Sequence, residues 1–159
     1  MEELPGGKIN EMLSIEILVP DDIAETSRLL ASMDPWLRLG YRRETLSYYL
    51  LCSDPSLSRY LVRIDGKPSG AMSVRFPWLS GPFLELIAIA DGCRGKGVGR
   101  ALIGWICARF STASNLWTTV SSFNTEAQRF YEHMGFERSV VLQDLIRTGW
   151  DEILLRKRL

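Results

Sequence analysis

The chain has 159 residues, 46% of them hydrophobic and 24% charged, the balance of one globular domain with a sizeable core rather than of a disordered tail. Nineteen Lys and Arg offset nineteen Asp and Glu, so no net positive field exists to hold nucleic acid generally. Apolar runs such as residues 86–90 and 50–52 fall far short of the ~20 residues needed to span a bilayer, so neither nucleic acid nor membrane is expected as a partner.

Acidic Glu2 and Glu3 stand where a secretory signal carries basic residues, and no apolar stretch of roughly 7–15 residues follows them, which points to the cytoplasm. Cys52, Cys93 and Cys107 are an odd number without CxxC spacing, and the single histidine, His133, cannot complete a familiar zinc site with them. Neither a disulfide framework nor a metal is expected.

Residues 1–13, with Pro5-Gly6-Gly7 and no sustained period, read as a loose leader or an extra edge element, ahead of a single domain over residues 14–159. Residues 14–19 read as a strand. Pro20-Asp21-Asp22 and Glu25 then signal the start of a helix with Ile23, Leu30 and Met33 on one side, which must stop before Pro35. Residues 36–41 form a loop rich in aromatic and leucine side chains, and residues 44–51 a short helix ending ahead of Asp54-Pro55. Tyr60, Val62 and Ile64 alternate with Leu61, Arg63 and Asp65; Asp65-Gly66 opens a turn, and a second alternating run over residues 71–76 completes a hairpin. Residues 76–82 hold Pro77, Trp78, Gly81 and Pro82 and are expected to be a loop. The run 83–90 is apolar except for Glu85, as a central strand is.

From Val98 onward Ala101, Leu102, Trp105, Ile106 and Phe110 recur at helical spacing, so a helix starts where a glycine cluster ends. A strand follows over residues 116–120. Asn124 caps a helix whose Ala127, Phe130, Tyr131 and Met134 share a face and which Gly135 ends; strands over residues 137–142 and 150–156 close the chain.

The segment Arg94-Gly95-Lys96-Gly97-Val98-Gly99-Arg100 lies between a buried strand and an amphipathic helix. Alternate glycines let successive backbone N–H groups turn toward one point, and the helix start adds partial positive charge there, which suits a phosphate. Arg94, Lys96 and Arg100 supply further charge. The dinucleotide pattern G-x-G-x-x-G fails, because counting from Gly95 reaches Arg100 and from Gly97 reaches Leu102; no G-x-x-x-x-G-K run for a nucleoside triphosphate exists.

Arg94-x-x-Gly97-x-Gly99 resembles the acetyl-CoA signature Q/R-x-x-G-x-G/A of the GNAT superfamily of N-acetyltransferases, and Leu86-Ile87-Ala88-Ile89 precedes it at the expected distance. Asn124-x-x-Ala127-x-x-Phe130-Tyr131-x-x-x-Gly135-Phe136 is similar to that family's second motif. The resemblance covers residues 14–159. It implies an α/β (α+β) fold: a mixed, mostly antiparallel sheet of about seven strands flanked by about four helices, splayed between the fourth and fifth strands counted from Ser14. It implies acetyl-CoA as cosubstrate, with no metal. The backbone of Ile87, Ala88 and Ile89 would hold the pantetheine arm and polarise the thioester. The amides of Gly95, Lys96, Gly97, Val98, Gly99 and Arg100, together with Arg94, would hold the pyrophosphate. Asn124 would contact pantetheine, cap the helix, or do both.

The reaction needs a neutral amine, and a lysine-like amine with pKa near 10.4 is only about 0.04% neutral at pH 7, so a base is useful. Glu85 shares strand parity with Ile87 and Ile89 and is expected on their side of the sheet, either as that base, directly or through a water, or as the partner of Arg63 or Arg75. Tyr131 matches the family's tyrosine near the coenzyme sulfur, where it would act as general acid or stabilise the departing thiolate by a hydrogen bond; its alternative is packing beside Phe130. Trp36, Tyr41 and Trp78 are read as an aromatic wall for the acceptor, or else as loop anchors. Arg38, Arg42 and Arg43 would favour an anionic part in the acceptor or form a solvated face. Cys93 is read as a filler in the loop and His133 as a solvated helix residue. The acceptor is then an amine of a small molecule or peptide, attacked directly in a ternary complex. A protein N-terminus or lysine, and a non-catalytic acyl-CoA sensor, are the alternatives. A monomer or a homodimer fits the late strands equally.

Overall fold

Eight strands make one sheet in the order β1-β2-β3-β4-β5-β6-β8-β7. The computed structural model describes residues 5–159. The strands are β1 Gly7–Lys8, β2 Leu13–Ile17, β3 Leu57–Ile64, β4 Lys67–Trp78, β5 Gly81–Ile89, β6 Asn115–Ser121, β7 Glu137–Arg147 and β8 Trp150–Arg158. The helices are α1 Ile23–Ala31, α2 Trp36–Leu39, α3 Arg43–Leu51, α4 Val98–Arg109 and α5 Thr125–His133. All neighbouring strands are antiparallel except β5 and β6. The eighth strand is β1, which pairs with β2 at the edge of the sheet and so is the extra edge element, one of the two readings of residues 1–13; Met1–Leu4 lie outside the described residues.

Each face of the sheet carries a layer of helices because the strands alternate apolar side chains to both sides. On one face Leu102, Ile103 and Ile106 of α4 are at most 1% exposed and pack with Tyr60, Val62, Met72, Val74 and Leu84. Each such side chain contributes roughly 1.5–3 kcal/mol by leaving water. On the other face Ile23 and Leu30 of α1 and Leu46 and Leu50 of α3 cover Ala71, Leu86 and Ala88.

Leu84 and Leu86 would share a face in an unbroken strand, yet they enter opposite cores. The reason is a bulge: Ser73 is opposite Leu86 and Val74 is opposite Leu84, so Glu85 is an extra residue in β5. The alternation restarts there. Ile87 and Ile89 pack toward the α4 side, whereas Glu85 and Leu86 face α3.

Two segments expected to be loops are ordered elements. Residues 36–39 form the single helical turn α2, closed by Gly40 in the left-handed conformation at φ 77°. Residues 76–82 form a tight hairpin rather than a loop, because β4 runs on to Trp78 and pairs it with Gly81. Among the described residues no helix is long and apolar enough to cross a membrane.

Candidate active site

The cradle at the start of α4 follows from its glycines. Gly95 and Gly97 adopt φ of 74° and 77°, which side chains with a Cβ resist, and Gly97 is the residue preceding the helix. Gly97 accepts the hydrogen bond of the Ala101 N–H at 3.0 Å, no side chain caps the helix start, and the first-turn amides of residues 98–100 are left without helical acceptors. Gly99 has a different task from the other two. A Cβ there would lie 2.9 Å from Phe130 Cζ, so its absence lets α5 pack against the first turn of α4. Lys96 and Arg100 are exposed and have no carboxylate partner among the described residues, while Arg94 is partnered by Asp91 at 3.2 Å and donates from Nε to the Ile89 carbonyl at 3.2 Å. Free amides, a helix dipole and two uncommitted cations fit a pyrophosphate.

β5 and β6 pair only at Phe83 with Trp117 and Leu84 with Thr118. Beyond that rung they diverge, and a cavity of about 680 Å³ opens along β5 from Leu84 to Ile89. This is the expected splay, between the fourth and fifth strands counted from Ser14. Ala88 is buried against the α1 and α3 core, so β5 offers the cavity largely its backbone there. Gln128 of α5 donates to the carbonyls of Ser121 and Ser122 at 3.2 and 2.9 Å, which pins α5 across the end of β6. Asn124, at the head of α5, accepts from the Ala127 N–H at 3.1 Å and lines the cavity, so the capping reading is present and its amide N–H groups remain uncommitted.

Tyr131 lines the same cavity, 5% exposed, with its ring 5.2 Å from those of Phe130 and Phe136. Burial pushes its phenol up to about 12, and the neighbouring Thr118 hydroxyl offsets part of that. Thr118 Oγ1 in turn donates to the Leu84 carbonyl at 2.9 Å, bridging the last paired rung of the opening. The phenol therefore stays protonated at working pH and can donate a hydrogen bond.

Glu85 is not on the side its parity predicts, because the bulge turns it toward α3. Arg75 on β4 donates to it from Nε at 2.6 Å and from Nη2 at 3.3 Å, and the same guanidinium donates from Nη1 to Asp54 at 2.7 Å and to Ser56 at 2.6 Å. Arg75 rather than Arg63 is the partner; Arg63 binds Glu16 at 2.8 Å. Of the three aromatics read as an acceptor wall, Trp36 and Tyr41 line the cavity. Trp78 does not. It stacks on Phe83 at 4.6 Å and meets Trp117 edge-on at 5.7 Å, at the closed end of the β5–β6 pair. Arg38 lines the cavity, lies over the Phe123 ring at 4.7 Å and pairs with Asp34 at 3.4 Å, whereas Arg43 donates to the Ala24 carbonyl at 3.2 Å and, like Arg42, is not part of the cavity lining.

The profile of the acetyltransferase (GNAT) family matches residues 23–136. The chain belongs to this family. It is 30% identical over 102 residues to an uncharacterized N-acetyltransferase of Methanocaldococcus jannaschii, a match covering 62% of this chain and 65% of that protein. It is 37% identical over 78 residues to streptothricin acetyltransferase of Streptomyces lavendulae, covering 47% of this chain and 41% of that one. The matches thus span less than two thirds of either relative. The crystal structure of an acetyltransferase from Thermus thermophilus covers 100% of both chains with a TM-score of 0.75 at 20% identity, a likeness of fold.

In this GNAT chain the cavity also holds side chains that local patterning did not single out, Thr118, Ser121, Phe123 and Glu152 among them. Glu152 of β8 is 4% exposed and lines the cavity. Ser121 Oγ donates to its Oε1 at 2.5 Å. Burial pushes its carboxyl above the usual carboxylate range, with the Ser121 and Thr119 hydroxyls pulling partly back. Ile153 and Leu155 enter the α4-side core, which puts Glu152 on the opposite face, with Tyr41 close enough that its own phenol is raised by burial and by the Glu152 charge. The alternation of residues 150–156 contains that parity. What covers Glu152 is decided by a segment more than a hundred residues earlier in the chain.

Proposed function

We propose that this chain is an N-acetyltransferase that binds acetyl-CoA along β5 and passes the acetyl group directly to an amine while both are bound. The observation that carries the reading is the opening between β5 and β6. One cavity joins the α4 cradle and Tyr131 on one face of the sheet to Trp36 and Tyr41 on the other, so two substrates can approach from opposite faces without displacing one another.

Acetyl-CoA, the family's acyl donor, supplies an acetyl group activated as a thioester. The amides of residues 98–100 with Lys96 and Arg100 hold its pyrophosphate, and the β5 backbone from Ile87 to Ile89 takes the pantetheine arm, with the uncommitted Asn124 amide beside it. Tyr131 donates a hydrogen bond to the sulfur as charge develops there. With its pKa near 12 against a thiol near 8.5, full proton transfer would run uphill by about 5 kcal/mol, so stabilisation of the thiolate is the larger part of its role.

One relative is a streptothricin acetyltransferase, and a discrete amine of that kind is the acceptor class we assign here, ahead of a protein N-terminus or lysine. The three cysteines are free thiols, in keeping with a cytoplasmic protein. The test is acetyl-CoA-dependent thiol release over a broad panel of amines and peptides, beside thermal stabilisation by acetyl-CoA. Amine-dependent release is expected. Stabilisation without release by any amine would favour a sensor, and absence of both would overturn the coenzyme assignment.

A further inference from the structure

Four carboxylates line the cavity on its several sides, and they are not equivalent. Asp34 is paired with Arg38 at 3.4 Å, Glu85 with Arg75 at 2.6 Å, and Glu126 with Arg94 at 3.9 Å. Glu152 has hydroxyl neighbours only and no cation within 4 Å among the described residues, although it is the most deeply buried of the four. An unpaired carboxylate out of water is costly, and such a cost persists where a ligand relieves it. The groups in contact with it are Tyr41 from the segment between α2 and α3 and Thr119 and Ser121 from β6; the cations around that lining are Arg38, held over Phe123 and by Asp34, and Arg147, which reaches Gly40, and neither pairs with Glu152.

We infer that the acceptor is a cationic alkylamine whose ammonium binds Glu152, and that Glu152 takes the proton which the ammonium must lose before it can attack. This rests on the acetyltransferase reading. The placement suits the task, because Glu152 lies on the Tyr41 side of the sheet opening and Tyr131 on the α4 side. The base and the group that steadies the leaving sulfur therefore line one cavity from opposite faces of the sheet. Trp36, Tyr41 and Phe123 offer apolar and aromatic surface for the body of the amine.

R–NH3+ gives one proton to the Glu152 carboxylate, and the freed electron pair of nitrogen bonds to the acetyl carbon. The carbon–sulfur bond breaks and its electron pair leaves with sulfur. The second proton lost by nitrogen goes to that sulfur, giving the thiol and the N-acetyl amide, and Glu152 returns its proton to water.

The experiment compares the wild type with Glu152→Gln on butylamine and phenethylamine, which are ammonium ions at pH 7, and on aniline, which is neutral there and needs no base. For the alkylamines Gln is expected to raise KM about tenfold or more and to move the kcat/KM profile to higher pH, while aniline turnover changes less than about twofold. Glu152→Asp should restore part of the alkylamine activity. Thermal stabilisation by phenethylamine, absent with 2-phenylethanol, should be lost in Glu152→Gln, and an unchanged Kd for acetyl-CoA shows that the variant is folded. Equal effects on aniline and alkylamines, or no effect on either, would overturn the inference while leaving the transferase intact. Glu152-dependent stabilisation by phenethylamine in a wild type that transfers acetyl to no amine would keep the cation site and remove the transferase reading.

Discussion

Glu85 and Arg75 face one another across β4 and β5 at 2.6 Å, on the side of the sheet opposite Ile87 and Ile89. Both Glu85 oxygens are engaged by the one guanidinium, so the carboxylate is committed to a structural contact. Glu85→Gln is therefore expected to lower stability by about 1–2 kcal/mol, between the values for exposed and buried ion pairs, and to leave the pH dependence of kcat/KM in place. Urea unfolding and a pH–rate profile read the two effects. Loss of the acid-side limb of the profile in Glu85→Gln would return the base role to this residue. Arg75 also holds the Asp54 carboxyl well below its usual range. The stability from that contact is full above pH ~4 and is lost as acid takes the pH down through the folded-state value.

Tyr131→Phe keeps the ring between Phe130 and Phe136 and removes the donor. We expect kcat to fall about 10- to 100-fold with little change in the KM for acetyl-CoA. Because the folded-state phenol is raised to about 12 against 10 when unfolded, its contribution is complete below pH ~10 and is lost as pH rises toward 12. The variant should therefore show a flatter decline of Tm in alkali. Full retention of kcat would leave Tyr131 a packing residue only.

Gly99→Ala places a methyl 2.9 Å from Phe130 Cζ. Overpacking of this kind costs about 1–3 kcal/mol, and it should also weaken acetyl-CoA binding, because α5 is pushed off the first turn of α4. Phe130→Leu in the same chain should recover part of the stability. Thermal unfolding of the single and double variants decides it.

Arg100→Gln and Lys96→Gln remove the two uncommitted cations of the cradle. Each is expected to raise the Kd for CoA about tenfold at low salt, less at 0.5 M salt, and to leave binding of phosphate-free pantetheine unchanged. Isothermal titration with both ligands separates a phosphate contact from a general loss of structure.

Local spacing was enough for most of the elements. The period of Leu102, Ile106 and Phe110 marks α4, Asp65-Gly66 marks the β3–β4 turn, and Gly95 and Gly97 mark a left-handed cradle, because helix period, turn chemistry and positive φ are properties of neighbouring residues. The pair of motifs around Gly97 and Tyr131 carried the family and with it the splayed sheet. Trp78 was misplaced because an aromatic in a proline-rich stretch shows no preference for either end of a strand pair. Glu85 was put on the wrong face because parity predicts a side chain's direction only while the register is unbroken, and the bulge is a property of the β4–β5 pairing. Glu152 was missed altogether. Its strand parity is local, but its burial beneath Tyr41, its contact with Ser121 and its lack of a cation arise only when β8 pairs with β6 and the segment after α2 folds over them, since burial and charge pairing belong to the assembled fold and not to the chain.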